Sequence, residues 1–234
     1  MKQKIKNLFG ELDKHKVLIL LTAVLSVVVV FMNLFTSLRW QGAPGLTFGN
    51  VFFTWMPMLV CDILIECYGK KKGIAIPAFV YLLQGLFFGL AALLVATHPD
   101  FLIWKTTATG TEIFSTTFGD TFRVWGGSVL ANYAGFLVNS LTMYTMKKHM
   151  PASDKWYSLA IRAVLSSMLG QFVDNAIFMY VGLGMWDWVS IGLRQLTEVG
   201  MEVLFLPITL LLVRKINKLP DYSQVVTKQI NVKQ

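Results

Sequence analysis

VLILLTAVLSVVVVFMNLFTSL, residues 17–38, is a run of 22 residues without a charged side chain. A helix that crosses the hydrocarbon of a bilayer needs about 20 predominantly apolar residues, so this stretch can cross by itself. IAIPAFVYLLQGLFFGLAALLVAT, residues 74–97, is a second charge-free run, of 24 residues. Worked outward from these two, the whole chain reads as an integral membrane protein. Only 15% of its 234 residues are charged and 55% are hydrophobic, at a mean hydropathy of +0.57. A soluble domain would carry about a quarter charged residues. Residues 17–38 are also longer than the apolar core of a cleaved secretory signal, about 7–15 residues, and end in no small-residue cleavage site. The first helix is therefore expected to be retained.

Hydropathy predicts an all-α protein with six transmembrane helices, at about 17–38, 49–68, 74–97, 123–146, 157–181 and 190–213. Residues 1–16 and 214–234 are tails on either side of a single membrane domain, 17–213. The segment 98–122 carries Thr106, Thr107, Thr109, Thr111, Ser115, Thr116 and Thr117 and is too polar for a seventh span. It reads as a loop with a short interfacial or re-entrant piece near Phe114–Phe118. With alternating sides, sixteen Lys and Arg fall on the side of the two tails and two, Arg39 and Lys105, on the other. Cytoplasmic loops carry the excess of positive charge, so both termini are expected in the cytoplasm and the chain in the inner (plasma) membrane as a multi-pass protein.

The same count disposes of a nucleic-acid partner. The net charge of +8 belongs to lysines at the inner face, where anionic lipid headgroups meet them. Cys61 and Cys67 are six residues apart and share no helix face, so they form neither a metal site nor a disulfide framework. They read as small packing residues.

The informative residues are the charges inside the spans: Asp62, Glu66, Asp174, Glu198 and Glu202, with Arg123, Arg162 and Arg194. Each costs at least about 2.5–3.5 kcal/mol to place in hydrocarbon, so such groups mark a polar site inside a bundle. Asp62 and Glu66 share a face at i, i+4, a turn or more after Pro57, which frees backbone groups where a cavity can form. Span four carries Arg123, Ser128, Asn132 and Asn139. Span five carries Arg162, Ser167, Gln171, Asp174 and Asn175. The serine and the first amide stand at the same offsets from the arginine in both, which either an internal repeat or chance produces. Serines are common glue between membrane helices. Gln171, Asp174 and Asn175 together exceed what packing needs. Span six aligns Arg194, Glu198 and Glu202 at i, i+4 and i+8. Arg194 with Glu198 suits an internal ion pair, leaving Glu202 as a carboxylate for a proton or a cationic substrate.

Catalytic patterns are missing. The three histidines, His15, His98 and His149, lie in tails or loops, and the chain holds no HExxH, GxSxG, Walker A or GxGxxG. No cofactor is implied. Carboxylates and amides facing one cavity instead suit a small flat molecule with several N–H groups. Tyr68, Trp125, Phe172, Phe178 and Trp186 stand near the polar positions in sequence, where a ring could stack.

Four stretches then resemble the vitamin uptake transporter family, whose members are also called queuosine precursor transporters. Asp62-Ile-Leu-Ile-Glu66-Cys-Tyr68-Gly69 is similar to its D-x-x-x-E-x-Y-G. Phe118-Gly119-x3-Arg123-x4-Ser128-x2-Ala131 is similar to the start of its fourth span. Gln171-Phe-Val-Asp174-Asn-x-Ile-Phe178 and Glu202-Val-Leu-Phe-Leu-Pro207-Ile-Thr209 are similar to its fifth and sixth. One position departs: the family often has a lysine one turn before the last glutamate, where this chain has Glu198. The resemblance implies an importer of 7-deazaguanines (preQ0, preQ1 or queuine). With the reading of the spans, Asp62, Glu66, Arg123, Asn132, Asn139, Arg162, Gln171, Asp174, Asn175, Glu198 and Glu202 are the residues expected to bind the base, and the departure at Glu198 offers a partner for the ammonium of preQ1. The alternatives are the substrate-binding component of an energy-coupling vitamin transporter, whose A-x-x-x-A docking pattern is replaced here by Ala23 and Val27, and a structural membrane protein without substrate. The oligomeric state, a homodimer included, stays open.

Overall fold

A computed structural model describes residues 13–35, 38–40, 43–97, 122–150 and 156–220. The segment near Phe114–Phe118, expected to be interfacial or re-entrant, and most of both tails lie outside these residues. Helix α1, Lys14–Leu34, starts at Asp13, whose carboxylate accepts the Lys16 N–H at 2.8 Å. A short antiparallel hairpin follows, β1 Arg39–Trp40 with β2 Ala43–Thr47. Thr47 then caps α2, Phe48–Phe53, by accepting from the Asn50 N–H at 3.1 Å. The remaining helices are α3 (Trp55–Thr97), α4 (Phe122–His149), α5 (Trp156–Ile177) and α6 (Trp188–Asn217). The hairpin is a correction to the expected span of 17–38. The charge-free run continues past Leu34, but Phe35 leaves the helix, stacks on Phe53 at 5.7 Å and meets Phe48 edge-on at 5.5 Å, and the Phe48 N–H closes back on the Leu38 carbonyl at 2.7 Å.

Helix α3 is two arms rather than one rod. Gly69 sits at φ 79°, ψ 174°, a left-handed conformation that glycine adopts without strain. In a continuous helix residues eight apart are about 12 Å apart. Here a Cβ built on Gly73 would lie 3.0 Å from the Ile65 Cα, so the chain reverses at Gly69 and residues 70–97 fold back along 55–68. The polar first arm and the apolar second arm correspond to the second and third predicted spans.

Among the described residues, four helices are long and apolar enough to cross a membrane: Lys14–Leu34, Phe48–Ala91, Trp156–Gly182 and Trp188–Asn217. The distribution of polarity agrees. Leu196, Leu204 and Leu86 are 73%, 66% and 63% exposed, whereas Gln171, Asn175 and Glu198 are 0% exposed. An apolar exterior around a polar interior is stable only against lipid, where backbone polar groups are satisfied within helices. Apart from the short hairpin, the helical architecture agrees with the membrane protein expected from the sequence.

Helices α4 and α5 approach closely because both present glycine at their crossing. A Cβ on Gly135 would meet the Gly170 carbonyl oxygen at 2.8 Å, and one on Gly170 would meet that of Gly135 at 2.7 Å. Small residues are the usual means of bringing membrane helices together. An apolar layer toward α1 seals one side of the bundle, with Tyr81 stacked on Phe136 at 5.3 Å over Leu25 and Leu64.

Candidate functional site

The buried polar side chains are ordered along α5. Arg162, Ser167, Gln171 and Asn175 follow one another along its inner face, and each meets a different set of partners, which divides the interior into three layers.

The layer at the Asn175 end surrounds a cavity. Its walls are Met32 of α1, Thr47, Asn50 and Thr54 around α2, Ser128 and Asn132 of α4, Asp174 of α5, Phe178 and Arg194. The cavity volume between them is about 10 Å³, room for about one water, so a bicyclic base enters only as the walls part. Beyond Ile177 the backbone widens into a π turn, Phe178–Gly182, in which the Leu183 N–H reaches back to the Phe178 carbonyl at 3.0 Å. Such turns often occur at functional sites. This one leaves Phe178 4% exposed, with its ring under the Arg194 guanidinium at 4.7 Å.

A hydrogen-bond chain fixes that guanidinium from behind. Arg194 Nε donates to Asn175 Oδ1 at 2.6 Å, and Asn175 Nδ2 donates to Glu198 Oε2 at 2.7 Å. The other Glu198 oxygen accepts from Asn50 Nδ2. Glu198 therefore lies behind the cavity wall, where it aligns two amides. On the opposite wall Asn132 donates to Ser128 at 3.1 Å, and Ser128 donates to Asn33 of α1.

The middle layer holds Asp62, Asn139, Ser167, Gln171 and Glu202. Asn139 Nδ2 donates to Asp62 Oδ1 at 3.0 Å. The Ser167 hydroxyl lies 3.4 Å from Asp62 Oδ2 and 3.3 Å from Asn139 Oδ1. Gln171 Nε2 donates to Glu202 Oε2 at 3.2 Å. Among the described residues, Glu202 Oε1 and Gln171 Oε1 have no hydrogen-bond partner.

The third layer, at the lysine-rich end, is an ion cluster. Glu66 pairs with Arg162 Nη2 at 3.2 Å and with Lys147 Nζ at 3.4 Å, and Lys147 also donates to the Glu66 carbonyl at 2.8 Å.

With this geometry in hand, comparison with known families is informative. The family model described as "Putative vitamin uptake transporter" matches residues 47–212, more than half of the chain. The chain belongs to that family. It is a family of transporters and not of enzymes, which agrees with the missing catalytic patterns. The match begins at the cap of α2 and ends in α6, so it contains the residues of the three layers apart from Met32 and Asn33 of α1. No curated protein matches the chain, and no solved structure does.

Of the residues that the sequence singled out for binding, Asn132 and Asp174 line the transporter's cavity, and Asn175 and Glu198 stand behind it. Asp62, Asn139, Gln171 and Glu202 form the middle layer, and Glu66 with Arg162 the third. Arg123 begins α4 and is not among the residues whose side chains are described. The expected pairing of Arg194 with Glu198 runs through Asn175, and Arg194 itself reaches the cavity wall. Two of the aromatic expectations are corrected. Phe172 and Trp186 are 44% and 49% exposed, Phe172 because it stands two positions from Asp174 and so on the far side of α5. Sequence reasoning missed Asn33, Thr47, Asn50 and Thr54. Their signal was weak: each is a single neutral polar residue in or beside an apolar run.

Proposed function

We propose that the chain imports a queuosine precursor, a 7-deazaguanine base such as preQ0, preQ1 or queuine, and binds it in the cavity beside Asp174 and Arg194. The observation that carries this reading is the composition of the wall: one carboxylate, one guanidinium, two amides and one aromatic face, all inside an apolar exterior. A deazaguanine presents N1–H and an exocyclic amine as donors and a carbonyl as acceptor. Asp174 suits the two donors, Arg194 suits the carbonyl, and Asn50 and Asn132 suit the mixed edge. Asn50 Oδ1 is buried and, among the described residues, lacks a donor. The ammonium of preQ1 finds its nearest lining carboxylate in Asp174, with Glu198 one shell behind.

The import reading includes six crossings, with α3 contributing two, both termini in the cytoplasm, and residence in the inner (plasma) membrane amid anionic lipid. What supports it is the reversal at Gly69 and the sixteen-to-two division of Lys and Arg. The cavity then opens from the outer half of the bundle, and the Glu66 cluster faces the cytoplasm.

The test is thermal stabilisation of the detergent-purified protein by preQ0, preQ1, queuine, guanine and riboflavin. A ligand at 100 times its Kd stabilises the fold by about 2.7 kcal/mol, readily seen in a melting scan. A shift with a deazaguanine, lost in Asp174→Asn, supports the reading; a shift with riboflavin alone, or with none of the five, sinks it.

A further inference from the structure

We propose that Asp62 and Glu202, in the layer below the cavity, form a proton-binding site, and that the protein is driven by the proton gradient. The inference concerns a site distinct from the cavity, although its transport arm rests on the substrate reading above.

The argument is a count of donors against acceptors. Six oxygens meet in the middle layer: two each from Asp62 and Glu202, and the amide oxygens of Asn139 and Gln171. The donors given to them are Asn139 Nδ2, Gln171 Nε2 and the hydroxyls of Ser167 and Ser166, and the Ser166 hydroxyl is also committed to the Ala163 carbonyl at 3.0 Å. The Ser167 hydroxyl lies almost equally far from Asp62 Oδ2 and Asn139 Oδ1, at 3.4 and 3.3 Å, is shared with Glu202 as well, and can donate to only one at a time. Among the described residues, nothing donates to Glu202 Oε1 or Gln171 Oε1, although Glu202 and Gln171 are 1% and 0% exposed. Buried acceptors without donors are costly. One added proton on Glu202 supplies the missing donor and removes one of two like charges held in a low dielectric.

Among the described residues, the charged surroundings offer no other remedy. The ionisable groups that act on the pair are Glu66, on the helix of Asp62, and Glu198, on the helix of Glu202, with the Cys61 thiol beside Asp62. Tyr81, on the second arm of α3, faces Cys61 and Asp174. The cations Arg162 and Lys147 are engaged with Glu66 in the layer below, and Arg194 with Asn175 in the layer above; from α4, Asn139 hydrogen-bonds to Asp62. A proton therefore enters from the cavity side onto Glu202 and leaves toward cytoplasmic water past Glu66, while the transported base is chemically unchanged.

Two measurements test this on the full-length protein. Infrared difference spectra over a pH titration, without substrate, are expected to show a protonated carboxyl band that Glu202→Gln removes. In proteoliposomes with the membrane potential clamped, an acid exterior is expected to raise accumulation of a neutral deazaguanine by about tenfold per pH unit for one coupled proton. Glu202→Gln and Asp62→Asn, checked for folding by melting, are expected to lose that response, and a sodium gradient is expected to have no effect. A band that survives in both variants, accumulation indifferent to pH, or a response to sodium instead overturns the proposal. If the band behaves as expected and no deazaguanine moves, the proton site stands and the substrate reading falls.

Discussion

Gly135 and Gly170 face each other across the crossing of α4 and α5, each so near the other's carbonyl oxygen that neither has room for a methyl group. The obstacle is backbone, which cannot rotate away. Gly170→Ala is expected to push the helices apart at a cost of about 1–3 kcal/mol, and to loosen the Asn139–Asp62 bond one turn away. A lowered melting temperature together with lost uptake checks this. A melting curve unchanged from wild type would show that the crossing is slack.

Asn175 joins Arg194 to Glu198 through both ends of one amide. Asn175→Ala leaves a buried guanidinium and a buried carboxylate each short of a partner. Hydrogen bonds to charged groups contribute about 1.5–3 kcal/mol, so the variant is expected to lose a similar amount of stability and most of its ligand affinity. Asn50→Ala, which deprives Glu198 but leaves Arg194 held, is expected to be milder. Ligand-dependent melting of the two variants side by side makes the comparison.

The two cations on Glu66 are unequal. The side chain of Lys147 is 31% exposed and that of Arg162 is 3% exposed. Lys147→Ala removes a partly wet pair and is expected to change stability by about 1 kcal/mol or less. Arg162→Ala removes the buried partner and is expected to cost about 3–5 kcal/mol. Chemical denaturation in mixed micelles reads the difference, and equal effects would contradict the assigned burial.

Asp187, in the turn before α6, provides a pH-dependent cap. The Ser190 hydroxyl and the backbone N–H groups of Val189 and Ser190 hold its carboxyl below the usual carboxylate range. A carboxyl depressed in the folded state contributes stability above its unfolded pKa, about 3.9, and loses it as pH falls through the folded value. Asp187→Ala is thus expected to melt below wild type at neutral pH, with the gap closing in acid. Asp187→Asn, whose single amide oxygen can replace one of the two accepting oxygens, is expected to show a smaller gap.

Much of this was legible in the sequence because hydrocarbon is an unforgiving solvent. Long charge-free runs located α1 and the second arm of α3, and carboxylates inside apolar segments marked the interior before any fold was known. What stayed hidden was the division of labour. Periodicity sets Asp174, Asn175 and Gln171 on one face of α5, but only tertiary contact decides that Asp174 lines the cavity, Asn175 braces Arg194 and Gln171 meets Glu202. Asn50 and Asn33 were invisible for a related reason: one amide in an apolar run costs little, and its partner lies on another helix. Phe178 reaches the cavity through a π turn that no residue pattern announces.

The reversal at Gly69 also bears on how the chain enters the membrane. The first arm of α3 carries Asp62 and Glu66, and each acidic residue near the middle of a helix opposes insertion by about 2.5–3.5 kcal/mol. Offered alone to the insertion machinery, that arm would tend to slip back into water. The second arm follows after three lysines, runs 24 residues without a charge, and folds tightly against the first at Gly73 and Ile65. The two are therefore expected to partition as one helical hairpin, the apolar arm drawing the acidic one in with it, so that Asp62 and Glu66 reach the bilayer as passengers of their neighbour.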